Sequence, residues 1–313
     1  MAYKNITHPS EFILIAFSDL PHLQTFLIIA FCLMYILTFC GNLLIIILVQ
    51  SEQTLHRPMY FLLSNLSVVD ITYTSVTVPK TLVNYFTGTK TISFLACFIQ
   101  LYFFVSFAST EFLLLTSMAY DRYVAICKPL RYSMIMNRNV CFLLSGASWI
   151  VGFIDSIFSF FVSLFDFCKT NAINHFSCDL RALLTLSCSN TDTIERVIFS
   201  ECLLIGMSSF MLTIISYIYI LHSIVKIKST EGRKKAFSTC TSHITSVTLF
   251  YGTMISVYVR PSSVSSLDYD KLFSVLYIAL IPTLNPFIYS LQNKEVKKAF
   301  WKLCNKVRHV SKL

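Results

Sequence analysis

Five acidic side chains stand where acids are expensive. Asp70, Glu111, Asp121, Asp155 and Glu201 each fall inside, or at the edge of, a long apolar run. A charged group in hydrocarbon costs at least about 2.5 kcal/mol, so each needs a reason to be there. Arg122 directly follows Asp121, and the two can pair. Asn42 and Asn285 are amides in similar surroundings, able to hydrogen-bond a buried acid. These residue types can hold a cation or a proton, or can toggle between partners. They do not make a catalytic centre: no nucleophile–base pair or metal-ligand cluster stands out, so an enzyme is not expected. His243 lies alone, which reads as an inner-face switch or packing residue rather than a metal ligand.

The elements that carry these groups follow from composition. The chain has 313 residues, 55% hydrophobic and only 13% charged, against about 25% charged in a soluble protein. Phe occurs 28 times and Gly only 7, which excludes a disordered or linker-like chain. The apolar residues gather into seven runs, at 23–50, 59–79, 98–119, 140–165, 197–224, 236–259 and 272–292. Each is at least about 20 residues, enough to cross roughly 30 Å of hydrocarbon as a helix. Continuous runs lack the alternation of a membrane β-barrel. The expectation is one domain over 1–313: an all-α membrane protein, a seven-transmembrane helix bundle with a short amphipathic C-terminal helix.

Charge orients the bundle. With the amino terminus outside, sixteen Lys and Arg fall in the inner segments and eight in the outer ones, as the positive-inside rule demands. The basic balance therefore reflects membrane topology and contact with lipids and partners, and implies no nucleic acid. No basic start, short apolar run and small-residue cleavage site precede Leu23, so insertion is expected to rely on the first helix. Asn5-Ile6-Thr7 is a glycosylation sequon in the outer amino-terminal segment (1–22). Four of the 11 cysteines fall outside: Cys97, Cys168, Cys178 and Cys188. Two disulfides are expected there, and spacing leaves three pairings open. Cys304 follows the last span on a stretch where Val296, Phe300, Leu303 and Val307 share one face among lysines. That stretch reads as an interfacial helix within the cytoplasmic tail (293–313), with Cys304 as an acylation candidate.

The motifs then resemble one family over essentially the whole chain. Leu55-His56-Arg57-Pro58-Met59-Tyr60-Phe61-Leu62-Leu63-Ser64-Asn65-Leu66-Ser67 enters the second span. Met118-Ala119-Tyr120-Asp121-Arg122-Tyr123-Val124-Ala125-Ile126-Cys127 ends the third. Ser216-Tyr217 follows in the fifth, Lys235-Ala236-Phe237-Ser238-Thr239-Cys240 with Ser242-His243 enters the sixth, and Pro282-Thr283-Leu284-Asn285-Pro286-Phe287-Ile288-Tyr289 lies in the seventh. In this order the set resembles the rhodopsin-like G-protein-coupled receptors and, among them, the odorant receptors. The resemblance implies disulfides Cys97–Cys178 and Cys168–Cys188. It also implies a plasma-membrane protein that meets a small-molecule odorant outside and a stimulatory heterotrimeric G protein inside. Gln292, where the family commonly has Arg, and Arg181-Ala182, where it has two prolines, depart from the pattern without altering the assignment.

Residue roles follow as expectations. Asp70 and Glu111, with Asn42 and Asn285, line a polar site for water, a proton or a sodium ion; the alternative is a hydrogen-bonded structural network. No other cofactor is expected. Asp121 and Arg122 pair at rest, and release lets Arg122 meet the G protein or Tyr217, with Tyr123 and His243 beside them. Pro286 interrupts its helix so that Tyr289 can swing. The ligand site is expected among Phe104, Val105, Ala108, Ser109, Ile205, Tyr251, Met254, Tyr258 and Ile278, an apolar lining with a few hydroxyls. Phe104 stands where amine receptors carry an acid, while Asp155 and Glu201 are anions in the outer half that could meet a polar or cationic ligand group. Rival readings fare worse. A retinal protein needs a Lys within 272–292, and a transporter needs paired half-repeats. A non-odorant chemoreceptor of the same fold is the runner-up.

Overall fold

The computed structural model describes residues 9–15, 21–168, 170–258, 273–291 and 293–310. Asn5 and Gln292 lie outside the described residues, as does the side chain of Tyr258. Among the described residues eight long helices follow one another: α1 (Pro21–Ser51), α2 (Pro58–Thr87), α3 (Phe94–Cys127), α4 (Arg138–Leu164), α5 (Asp192–Val225), α6 (Thr230–Tyr258), α7 (Phe273–Ser290) and α8 (Lys294–Val310). Six of them (α1 from Thr25, α2, α3, α4, α5 and α7) are long and apolar enough to cross a membrane.

Helix ends sit where local chemistry puts them. Pro58 opens α2, where its missing N–H is no loss, and Gly88 closes it at φ +69°, a left-handed cap that a side chain would strain. Ser93 and Asn137 cap α3 and α4 by accepting from the Ala96 and Val140 amides at 3.3 and 3.0 Å. The helix α6 is as long as its neighbours, at 29 residues, but richer in hydroxyls. Five of those hydroxyls are answered inside the helix: Thr239, Thr241, Thr245, Thr253 and Ser256 each donate to a carbonyl one turn back. Such back-bonding satisfies polar groups without water, so the helix tolerates apolar surroundings.

The helix α3 runs through the middle of the bundle and packs against α2, α4, α5 and α6. Two glycines permit close approach. A Cβ on Gly41 of α1 would lie 2.8 Å from Pro286 Cγ of α7, and one on Gly152 of α4 would lie 2.6 Å from the Ser106 carbonyl of α3. Small residues at such crossings let backbones meet where no hydrophobic effect drives helices together. The outward faces are apolar, as lipid requires; Phe26 and Ile29 on α1, and Leu204, Leu212 and Ile218 on α5, are exposed.

One end carries a cap that the all-α expectation omitted. A three-stranded sheet sets β1 (Glu11–Leu14) between β2 (Thr91–Ser93), antiparallel, and β3 (Ala172–Ile173), parallel. Strands of four residues and fewer leave no readable alternation. The side chain of Phe12 is fully buried, against the rings of Phe94, Phe98 and Phe167. The disulfides are Cys97–Cys178 and Cys168–Cys188, the pairing the resemblance implied. At the other end α8 folds back under the bundle. Val296 and Ala299 are buried against the bundle and Leu303 is half-buried, while Phe300 and Trp301 are exposed. Ion pairs Arg57–Glu295 (3.1 Å) and Lys302–Glu52 (2.7 Å) fasten α8 to the turn between α1 and α2.

Candidate functional site

The mid-bundle polar set assembles as a cluster. Asn285 Nδ2 donates to both carboxylate oxygens of Asp70, at 3.2 and 3.1 Å, joining α7 to α2. Asn42 Nδ2 donates to the Thr38 and Pro282 carbonyls at 3.1 and 3.2 Å, joining α1 to α7. Glu111 on α3 is buried nearby, and its charge reaches Asp70. The oxygens Asn42 Oδ1, Asn285 Oδ1 and Ser67 Oγ are buried without a hydrogen-bond partner. Unanswered acceptors beside two acids are what a cation or water cluster would complete. Tyr289 is buried at the next turns of α7, its hydroxyl also unpartnered, and Pro286 lies inside the helix Ile281–Leu291.

At the inner end Asp121 is fully buried and doubly held. Arg122 Nη2 lies 2.8 Å from its Oδ2, and the Tyr132 hydroxyl donates to its Oδ1 at 2.7 Å. Tyr132 lies in the four-residue helix Tyr132–Ile135 between α3 and α4. Burial and then the Asp121 carboxylate push its phenol above the ordinary range, so it remains a neutral donor. Tyr217 does not touch this pair. Its hydroxyl lies 2.6 Å from His243 Nδ1, while His243 Nε2 lies 3.0 Å from the Leu115 carbonyl. A carbonyl only accepts, so Nε2 carries the proton; in the neutral ring Nδ1 then accepts from Tyr217. One imidazole thus ties α3, α5 and α6. Tyr123 packs on Tyr219 at 5.8 Å, with the Lys128 ammonium over its ring.

The candidate ligand residues largely converge. Phe104, Tyr251, Met254 and Ile278 belong to one buried cluster, with Val105 and Ala108 packed against it. Phe104 stacks on Tyr73 at 4.9 Å and meets Tyr277 at 6.0 Å. The ring of Tyr251 meets Phe112 and Phe210 at 5.4 and 5.0 Å. Ile205 is half-buried in a π-helical turn, Cys202–Met207, that interrupts α5; such turns recur at functional sites. Ser109 donates to Asp155 Oδ2 at 2.5 Å, so these two form a pair across α3 and α4. Glu201, half-buried one position before the π-turn, lies within reach of the Asp155 charge, and its Oε1 has no partner.

Several contributors escaped the sequence reading. Tyr132 is one; nothing in its local sequence marks it as the second donor to Asp121. Another is Gln100, which donates to the Val76 carbonyl at 2.8 Å and accepts from the Cys178 amide at 2.9 Å, seating the outer disulfide on α2 and α3. Asn65 accepts from Ser145 and Trp149 at 2.8 and 3.2 Å, joining α2 to α4. A polar residue on an apolar helix face was the available signal for both.

The bundle combines six helices long and apolar enough to cross a membrane with a buried acid–arginine pair at one end and a disulfide-bonded cap at the other. The olfactory receptor family model matches residues 31–306. Human olfactory receptor 5B12 is 48% identical over 306 residues, covering 97% of this chain and 98% of its own. Mouse olfactory receptor 5G9 is 47% identical over 309 residues, covering 98% of each. Human olfactory receptor 5B21 is 46% identical over 308 residues, covering 97% and 98%. The chain belongs to the olfactory receptor family, a family of receptors and not of enzymes.

Proposed function

We propose that the chain crosses the plasma membrane seven times as one domain, amino terminus outside, and converts odorant binding into activation of a stimulatory heterotrimeric G protein that raises cyclic AMP. The seventh span is α6, five of whose hydroxyls bond within the helix. The ligand is small and mostly apolar, held among Phe104, Val105, Ala108, Ser109, Ile205, Tyr251, Met254, Tyr258 and Ile278, with Asp155 and Glu201 on the outer wall as acceptors for a polar or cationic group. Asn5 is the glycosylation site, and α8 lies along the inner leaflet.

The observation that supports this reading best is the partition of the inner-end partners. Arg122 is held by Asp121 while Tyr217 is held by His243, so the two side chains expected to meet in the signalling state are each occupied elsewhere. This is a resting arrangement with a defined alternative. An agonist that prefers the alternative shifts the balance by its difference in affinity for the two. Asp70, Glu111, Asn42 and Asn285 form the proton or sodium site between the ligand region and the lock, and its occupancy favours the resting packing.

The deciding experiment expresses the chain in cells with the G protein, tags Met1 and Leu313, and reads surface labelling and cyclic AMP across a broad odorant panel. Labelling of Met1 alone in intact cells and a dose-dependent rise with some panel members are expected. Both tags on one side, or silence of surface-expressed protein to every compound, overturns the reading.

A further inference from the structure

The start of α8 is clasped to α2 by a polar set that neither the ligand region nor the Asp121–Arg122 pair uses. Tyr60, only 6% exposed, directs its hydroxyl at two acceptors, Glu295 Oε2 at 2.9 Å and Asn293 Oδ1 at 3.2 Å. Arg57 Nη1 holds the other carboxylate oxygen, Glu295 Oε1, at 3.1 Å. Asn293 Oδ1 also accepts from the Glu295 and Val296 amides at 3.0 and 3.3 Å, which caps α8. The first turn of α8 is therefore built on the same two acceptors that receive Tyr60. The Arg57–Glu295 pair is exposed, at 60% and 44%, and such pairs contribute little. The bond from the buried phenol to a carboxylate is the stronger contact. Tyr60 carries the clasp and Arg57 supports it.

This clasp joins two parts that the receptor reading sets in motion. Asn293 and Glu295 stand just past the end of α7, where Pro286 interrupts the backbone ladder and Tyr289 is buried. A swing of that end must carry both acceptors away from Tyr60. On its other side Tyr60 lies within reach of the Arg122 charge, and Arg122 Nε is buried without a hydrogen-bond partner. One phenol thus stands between α8 and the Asp121–Arg122 pair. We infer that the contact of Tyr60 with Glu295 and Asn293 is a second resting latch, which holds the inner end of α7 against α2 and opens together with the Asp121–Arg122 pair. This rests on the receptor reading above and adds the residues through which the junction of α7 and α8 opposes activation.

The test needs no ligand. The readout is agonist-independent cyclic AMP in cells expressing the full chain with the G protein, divided by surface labelling. Tyr60→Phe keeps the ring and removes only the hydroxyl; Glu295→Ala removes the carboxylate from a half-exposed position. Each is expected to raise basal signalling roughly two- to tenfold, about the net value of one ordinary hydrogen bond. The double variant is expected to rise no further than the larger single one, because both act through one bond. Arg57→Gln, which breaks only the exposed pair, is expected to stay within about twofold. A purely structural role for the clasp lowers surface display and leaves the basal signal per receptor unchanged or reduced. That result in both variants, with Asp121→Asn raising the basal level, overturns the latch and leaves the receptor reading standing. Single effects that multiply in the double variant overturn the shared bond. No rise in any form, Asp121→Asn included, overturns the latch together with the lock; the receptor reading falls only if the odorant panel described above is also silent.

Discussion

The inner end of the bundle and its outer half treat their acids in opposite ways. Asp121 is fully buried and takes hydrogen bonds from Arg122 and Tyr132. Asp155 has one hydroxyl partner, Ser109, and Glu201 Oε1 has none. In a medium that solvates ions poorly, a doubly answered carboxylate is a lock and a poorly answered one is a receptor for something else. His243 likewise uses both ring nitrogens. The inner end answers its acid and its imidazole; the outer half leaves an acid oxygen unanswered.

The comparison breaks most severely if the outer cap is removed. Cys97–Cys178 closes 81 residues of chain, and its loss typically costs about 2–5 kcal/mol. Cys97→Ser is expected to abolish surface display, read by labelling of intact cells, because Gln100 and the buried Phe12 cluster lose their anchor. The next largest effect is at the lock. Asp121→Asn removes the charge that holds Arg122 and weakens the bond from Tyr132. Ligand-independent cyclic AMP, corrected for surface level, is expected to rise at least about fivefold, the lower bound of an ordinary coupling energy. An unchanged basal level would mean that the inner end stores no resting bias.

How much of this was legible without coordinates differs between the two ends. Apolar runs pointed to the six helices long and apolar enough to cross, because lipid demands continuous stretches and the backbone has no other economical way to cross. Intramembrane acids pointed to Asp70, Glu111, Asp121, Asp155 and Glu201 for the same reason. Partners were harder to read. Asp70 with Asn285, and Arg122 with Asp121, emerged because rare polar groups in apolar runs have few choices. Tyr132 and Gln100 did not, since a tyrosine or glutamine near a helix end is ordinary, and only the packing of α3 against its neighbours brings each to its acid or amide. The sheet around Phe12 was illegible, being made of fragments too short to carry a period.

Smaller substitutions sharpen the contrast within the inner end. Tyr217→Phe removes the hydrogen bond to His243 without altering the ring, and with it the group expected to meet Arg122 in the signalling state. Maximal agonist response is therefore expected to fall several-fold while basal activity moves little. A Tyr217→Phe variant with full efficacy would assign Tyr217 to packing alone. Tyr132→Phe leaves Asp121 with Arg122 only, and a rise in basal activity of roughly two- to tenfold is expected, about the net value of one ordinary hydrogen bond. Because its phenol is held above the ordinary range, Tyr132 keeps its proton and its bond as cytosolic pH rises. Basal signalling of the native chain is accordingly expected to be flat between about pH 7 and pH 8 at this contact.

The smallest effects are expected in the outer half, where a neutral substitution removes charge but little structure. Asp155→Asn keeps a group that Ser109 can bond, and Glu201→Gln replaces a half-buried acid by an amide of the same shape. Neither is expected to change surface display. Their effect is confined to ligands: potency toward compounds with an ammonium or hydroxyl at the outer end falls up to about tenfold, and potency toward compounds without one stays within about twofold. Dose–response curves for paired compounds on both variants decide it. Unchanged potency for every agonist would leave Asp155 and Glu201 without a ligand role, and the burden of recognition would move to the cluster of Phe104, Tyr251, Met254 and Ile278. A loss shared equally by all agonists would instead mean that the acids shape α4 and α5, and that the outer half is no less self-contained than the lock it faces.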